Sequence, residues 1–379
     1  MKILGRNIKL KKIVSLIKKH PTASFIQALQ KIRQTTLLDY KLLKGHSFPP
    51  FMFVFEVSHR CNLRCKTCWF YGKSGLYKIK KPEQELNFKE IKKFIDQISY
   101  FKPYLLITGG EPLLHDNIFE IINYAEKKGI FTGMITNGML VNKNIAKKII
   151  NSKLDFITIS IDGPEDIHNK ARNSKFSFTK TIEAIKHLNN EKKSIFPLIT
   201  INTTISDLNY NNLNNLVRIA EENNVDILQF QHQWFSTPQI SEAHNKQFKK
   251  LFNIQSDFFS GFENDMIDKI NINILKEQIK NINSKKVDIR FYPDLKSNEL
   301  EGYYKSFSRV FNDKCTNPWF STIITPNGDI SPCLDFKIGN IKDDFKKTWN
   351  NKKIKQFRLN LKNKKYFMGC LRCCGFFQK

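Results

Sequence analysis

Long apolar runs are missing from this chain of 379 residues. Nothing in it approaches the roughly 18 uninterrupted apolar residues that would cross a bilayer. A compact apolar stretch ending in small residues, the mark of an export signal, is missing too, because the first lysines are scattered among isoleucines and leucines. The chain therefore reads as cytoplasmic. Acidic residues are scarce, 35 against 62 Lys and Arg, which leaves a formal charge of +27. Clustered lysines are the usual footprint of phosphate binding, but Lys, Ile and Asn are abundant here from end to end. The excess then reads mainly as a solvated surface, with nucleic acid an unlikely partner and an anionic lipid or phosphorylated substrate left open. Cysteine is absent between Cys68 and Cys315. The eight present fall into two groups, Cys61, Cys65 and Cys68, then Cys315, Cys333, Cys370, Cys373 and Cys374. In an intracellular chain such clusters bind metal or do chemistry rather than form disulfides.

What is present is enough apolar material, 41% of residues with 12% aromatic, to bury a sizeable core. The length suits a barrel of about 250 residues plus an extension. Residues 1–48 are basic, with Leu10, Ile13, Val14 and Ile17 at helical spacing among Lys9, Lys11, Lys12, Lys18 and Lys19. This predicts a helical extension, either a lid packed by its apolar stripe or a helix lying on an anionic membrane. From residue 51 a β-rich run, a loop and an amphipathic helix repeat, with runs at 51–57, 104–108, 131–136, 156–161, 197–205 and 227–230. Helical patterns fall at 87–99, 118–128, 143–152, 179–190 and 210–223. Such alternation implies parallel strands with right-handed crossovers, and six strands suit an open, partial (β/α)6 barrel. The α/β fold expected is thus an N-terminal extension over 1–48, the partial barrel over 49–240, a helical connector over 241–310 and a small α+β module over 311–379. Ligands of such sheets sit outside the carboxyl ends of the strands, so the chemistry belongs to the loops after each run.

The first of those loops carries Cys61, Cys65 and Cys68 in a C-x3-C-x2-C spacing. Three thiolates can hold three corners of a cubane cluster and leave one iron open, whereas a structural zinc closes four ligands around itself. After the second run comes Gly109-Gly110-Glu111-Pro112, where two glycines let backbone approach a ligand closely and a carboxylate stands ready for a cationic group. This combination at successive strand ends resembles the radical SAM superfamily over about residues 51–235. The resemblance implies a catalytic [4Fe-4S] cluster on Cys61, Cys65 and Cys68, with S-adenosylmethionine chelated at the open iron. It also implies reductive cleavage to a 5′-deoxyadenosyl radical and hydrogen abstraction from a substrate C–H bond. Ser160, Asp162 and Arg172 fit polar contacts to the ribose and the methionyl carboxylate. Asn137 is a weaker candidate, since Asn137-Gly138 is also an ordinary turn. One departure from the superfamily pattern is Thr67 before the third cysteine, with Trp69 and Phe70 following it.

Toward the C-terminus, Cys315 precedes a β-run, the turn Pro326-Asn327-Gly328-Asp329 and Cys333 on the returning strand, while Cys370 and Cys373 form a C-x2-C pair after a helix at about 343–359. This resembles the SPASM/twitch extensions of the same superfamily. Five cysteines imply one auxiliary [4Fe-4S] cluster on Cys315, Cys333, Cys370 and Cys373, with Cys374 an alternative ligand and a zinc site on the same thiolates the structural alternative. The substrate is in no motif. A small molecule or sugar-like metabolite leads, a peptide follows, and a non-catalytic electron carrier or nucleic-acid binder is the reading of another class. A low-potential donor such as flavodoxin or ferredoxin is implied as partner. His232, in a period-two stretch after the sixth run, is a candidate substrate contact or an ordinary buried histidine.

Overall fold

The computed structural model describes residues 10–78, 84–256, 258–264, 266–307, 310–334, 336–373 and 375. Cys374 lies outside the described residues. Three helices come first, α1 (Leu10–Lys19), α2 (Pro21–Thr36) and α3 (Leu38–Leu42). Strand and helix then alternate through β1 (Met52–Ser58), α4 (Phe88–Ile98), β2 (Tyr104–Gly109), α5 (Ile118–Lys127), β3 (Phe131–Thr136) and α6 (Lys143–Asn151). β4 (Phe156–Ser160), α7 (Glu165–Arg172), α8 (Ser177–Glu191), β5 (Leu198–Ile205), α9 (Leu213–Glu222) and β6 (Ile227–His232) complete the expected unit. Beyond it lie α10 (Pro238–Phe252), α11 (Ile272–Asn281), β7 (Asp288–Tyr292) and α12 (Leu300–Lys305). The chain ends in β8 (Ser321–Ile324), β9 (Asp329–Ser331), β10 (Gly339–Asn340), α13 (Phe345–Trp349) and α14 (Lys352–Lys364).

The strands form one sheet in the order β10-β9-β8-β1-β2-β3-β4-β5-β6-β7. β1 to β6 are parallel neighbours, as the alternating pattern predicts, and two further parallel strands extend them. β7 pairs with β6 and β8 pairs with β1. β7 falls inside the segment expected to be wholly helical; its short alternating run is legible only once β6 offers an open edge. The hairpin forms at Thr325 to Asp329, but β9 ends at Ser331, so Cys333 stands just past the returning strand, in a bridge with Phe336.

Side chains alternate across the sheet. Ile159, Ile201 and Leu228 are fully buried in the core beneath the helices. On the other face Ser160, Asn202, Gln229 and Arg290 stand in register on β4, β5, β6 and β7, each only partly buried. An apolar face under helices and a polar row on the concave side are what an open α/β barrel requires.

The N-terminal helices close the opposite end. Leu16 and Ala23 pack on Tyr104, Phe131, Phe156 and Leu198, the first residues of β2, β3, β4 and β5. Asp155 and Asp226, at the entries to β4 and β6, tie this plug down: Asp155 takes Lys19 at 2.6 Å and His20 at 2.9 Å, and Asp226 takes Lys12 at 2.5 Å. The extension is therefore a cap on the base of the barrel, the end away from the loops that carry the cysteines. Among the described residues no helix is long and apolar enough to cross a membrane.

Candidate functional site

Four loops meet where β1 to β4 end, and hydrogen bonds lock them together. The cysteine loop leaves β1 at Ser58. Its backbone is held by the end of β2, with Gly110 N–H donating to Ser58 O at 2.7 Å and Glu111 N–H to Arg60 O at 2.8 Å. This contact explains the two glycines. A Cβ on Gly109 would stand 2.1 Å from Ser58 O, and one on Gly110 2.3 Å from Arg60 O. Gly109 also has φ +131°, a conformation L residues avoid. The close approach expected toward a ligand is thus an approach to the neighbouring backbone.

Glu111 follows, with no exposure to solvent. Its carboxylate accepts from Thr136 Oγ1 at 2.7 Å, Asn137 N–H at 2.8 Å and Leu113 N–H at 3.1 Å. Burial pushes its pKa up, against those three donors. Of about four lone-pair sites on a carboxylate, three are spent within the fold and one on Oε2 remains. Pro112 opens the short turn that aims this side chain inward. Asn137 is equally committed: its Nδ2 donates to Asn62 Oδ1 at 2.8 Å and its Oδ1 accepts from Met139 N–H at 2.9 Å. It is a strut between the third loop and the cysteine loop.

Asp162 and Arg172, expected as separate contacts, pair with each other, Arg172 Nε lying 2.8 Å from Asp162 Oδ2. Arg172 Nη1 donates to Cys65 Sγ at 3.8 Å. Burial works against the charge on Arg172, but Asp162 and Cys65 outweigh it and raise its pKa. Arg172 is the last residue of α7, which sequence periodicity did not reveal because its eight residues are mostly polar, and Asp162 stands in the loop between β4 and that helix. Its Ala171 carbonyl also accepts Lys66 N–H at 2.9 Å, so α7 clamps the cysteine loop twice. The hydroxyl of Ser160 has no partner among the described residues.

Each thiol of the loop receives a donor: Leu63 N–H reaches Cys61 Sγ at 3.5 Å, Tyr71 N–H reaches Cys68 Sγ at 3.4 Å, and Cys65 takes Arg172. Burial pushes the Cys61 thiol up to about 11 and raises Cys68 as well, so metal binding here would displace protons. Donors aimed at sulfur favour thiolate and suit an iron–sulfur cluster. Among the described residues no three Cys, His, Asp or Glu side chains converge as ligands of a single ion; cubane ligands sit one to an iron and have no need to converge. Trp69 and Phe70 turn into packing, Trp69 stacking on Phe262 at 5.3 Å and Phe70 on Tyr77 at 5.2 Å.

Sequence reasoning passed over a buried relay beside this loop. His59 Nε2 lies 3.0 Å from Glu56 Oε2, and its Nδ1 meets the Tyr77 hydroxyl. His232 turns away from the site. Its Nδ1 meets Tyr304 Oη at 2.6 Å among the aromatic rings of α12, and burial lowers its pKa to about 3. The C-terminal cysteines stand on separate supports. Cys315 and Cys370 are buried, and the neighbouring Cys315 thiol together with burial holds Cys370 well above its ordinary pKa, while Cys333 and Cys373 are half-buried at the edge of the core. Aromatic contacts link the two regions, from Trp69 through Phe258 to Phe259, whose ring packs on Gly369 beside Cys370.

Residues 55–218 match the model of the radical SAM superfamily, and residues 315–374 match an iron–sulfur cluster-binding domain, SPASM. The chain is 33% identical over 175 residues to an AdoMet-dependent heme synthase of Methanosarcina barkeri, 46% of this chain and 48% of that protein. It thus spans about half the length of the heme-synthase relatives it matches. A cysteine-type anaerobic sulfatase-maturating enzyme of Clostridium novyi is 27% identical over 327 residues, 81% of this chain and 80% of that one. Among solved structures, Streptococcus suis SuiB bound to its precursor peptide SuiA superposes with a TM-score of 0.60 at 17% identity. That likeness of fold covers 99% of this chain and 85% of the other.

Proposed function

The chain belongs to the radical SAM superfamily and carries a SPASM iron–sulfur domain, and on that premise we propose that it cleaves S-adenosylmethionine and abstracts hydrogen from a residue of a peptide or protein. One observation carries the choice of substrate. The sulfatase-maturating enzyme and SuiB, alike over 81% and 99% of this chain, have a name or a bound molecule that is peptidic, whereas the heme-synthase likeness is confined to 46% of the chain. The partly buried polar row Asn202, Gln229 and Arg290 supports this reading, since its amide and guanidinium groups, held in line by the Gln229–Asn202 hydrogen bond and the Arg290–Asp288 pair, suit a substrate rich in peptide amides.

A [4Fe-4S] cluster with S-adenosylmethionine supplies, once bound and reduced, the 5′-deoxyadenosyl radical. Cys61, Cys65 and Cys68 would hold the cluster, and Leu63 N–H, Tyr71 N–H and Arg172 would stabilise the charge on their sulfurs. Gly109 and Gly110 fix the cysteine loop against β2 so that its sulfurs keep one geometry. The remaining lone pair on Glu111 suits an ammonium group, and the hydroxyl of Ser160 suits a ribose hydroxyl. Asp162 orients Arg172 and so acts through it. Cys315, Cys333, Cys370 and Cys373 would hold one auxiliary cluster, fully ligated by thiolate and so suited to electron transfer or scaffolding. Flavodoxin or ferredoxin would supply the reducing electron.

The test is an anaerobic assay of the reconstituted protein with dithionite. Formation of 5′-deoxyadenosine is expected, and a mass change in a cysteine- or serine-containing peptide panel should accompany it. Cys61→Ala, Cys65→Ala and Cys68→Ala should each abolish cleavage; persistence in all three removes the cluster assignment. The triple variant should keep about four irons per chain on the second cysteine group, and zinc there instead would overturn the auxiliary cluster. Turnover on porphyrin with none on any peptide would replace the peptide reading by that of a small molecule.

A further inference from the structure

α2 is folded inside out. The residues it buries are Ala23 and four polar ones, Ser24, Gln27, Arg33 and Gln34. They do structural work: Gln27 Nε2 donates to Lys102 O at 3.0 Å, and the Arg33 guanidinium donates to Pro49 O at 3.1 Å and to Trp319 O at 3.3 Å. The opposite face carries Phe25, Ala28, Leu29 and Ile32, spaced i, i+3, i+4 and i+7, and all of them point to solvent. Phe25 is 66% exposed, Leu29 50% and Ile32 60%. On the flanking helices Val14, Ile17 and Leu42 are exposed as well. Of thirteen large hydrophobic side chains exposed among the described residues, eight lie between Val14 and Phe48. Scattered apolar residues need no explanation, but a contiguous stripe on a helix that spends its polar face on the core does.

Charge identifies the occupant. Residues 1–48 hold eleven Lys and Arg against a single acid, Asp39. Asp39 is fully buried and spent on Arg33 and Ser47. Lys11, Lys18, Lys41 and Lys44 stand exposed on α1, on α3 and in the turn after α3. A second copy of the chain would bring the same positive charge against itself with no acid to answer it. An anionic bilayer answers both properties, apolar side chains entering the acyl boundary while lysines meet headgroups. We propose that the base of the barrel, through the α1–α3 face centred on Phe25, Leu29 and Ile32, docks on an anionic lipid surface. Because this base caps the entry ends of β2 to β5, docking leaves the mouth of the barrel turned away from the lipid and open to substrate. The inference is independent of the proposed chemistry.

Flotation of the full-length, cluster-loaded protein with extruded vesicles tests it, using phosphatidylcholine alone and phosphatidylcholine with phosphatidylglycerol. Recovery with the anionic vesicles should exceed that with neutral ones by about tenfold or more and fall as salt rises. The variant Phe25→Ser/Leu29→Ser/Ile32→Ser should lose flotation by about the same factor with unchanged iron content and melting temperature. Lys11→Glu/Lys18→Glu should weaken it, and Phe176→Ser, a change at an exposed ring outside this face, should leave it intact. Wild-type protein that stays unbound on anionic vesicles overturns the proposal. So does a triple serine variant that floats as well, or a wild-type dimer that the triple variant turns into monomer, which would assign the face to a second copy.

Discussion

Glu111 and Arg172 show what a residue's identity and position in a motif convey, and what they leave out. Their types and places were legible, the carboxylate because it follows two glycines at a strand end, the arginine downstream of the fourth strand through the resemblance to the radical SAM superfamily. Their partners were not, since Thr136, Asn137 and Cys65 approach them only through the folded sheet. The structure changes what a substitution should do. Glu111→Ala strands the Asn137 amide and the Thr136 hydroxyl inside the protein, at about 1–3 kcal/mol for a buried donor left unsatisfied. Arg172→Ala leaves Asp162 buried and unpaired, at about 3–5 kcal/mol. Both variants should therefore lower the midpoint of urea unfolding in protein free of cluster and of S-adenosylmethionine. Unchanged unfolding with weakened cofactor binding would restore the simpler view in which both side chains serve the ligand alone.

Among elements, the alternating strands and amphipathic helices were readable because burial of one face imposes a period, and the six expected strands appear close to their expected places. The elements that escaped were those whose reason for forming lies elsewhere. β7 needs the free edge of β6, and α7 is a polar helix fixed by its contacts to the cysteine loop. α7 ends at Asn173, whose φ of +53° is left-handed, and its last turn supplies the Ala171 carbonyl and the Arg172 side chain. A β-branched residue tolerates that conformation badly, whereas glycine adopts it freely. Asn173→Val should cost about 1–2 kcal/mol and reduce the iron retained by the reconstituted loop, while Asn173→Gly should keep both near wild type. Equal iron retention in the two variants would show that α7 does not hold the loop.

For the whole molecule, two buried histidines set a response to acid. Burial lowers His168 to about 4 and His232 to about 3, against about 6.5 in an unfolded chain. The unfolded state binds these protons first, so the stability they contribute is complete above pH 6.5. It is lost progressively as pH falls toward 4 and then 3. At pH 5 the loss amounts to about 2 kcal/mol for each. Urea unfolding at pH 7 and pH 5 should show it, and His168→Asn, which keeps an acceptor for the Asp162 amide, should remove roughly half of the difference. A slope unchanged in that variant would assign the acid response to other groups.

The segment before β1 is sewn to α13, α14 and the turn between them. Trp349 Nε1 donates to Phe48 O at 2.8 Å, Asn350 exchanges hydrogen bonds with Ser47 at 2.9 and 2.8 Å, and Arg358 reaches Gly45 O from 313 residues away. On a ribosome adding about 5–20 residues each second, the segment around Gly45 waits roughly 15–60 s for that partner to be made. The first cysteine loop and α7 are complete long before then, whereas Cys370 and Cys373 follow Arg358 and emerge later still. Synthesis thus imposes a schedule in which the loop that starts the chemistry can be furnished early. The seam that joins Ser47 and Phe48 to Trp349 and Asn350, and the second cysteine group that follows it in the chain, can be finished only once residues 349–373 have been made.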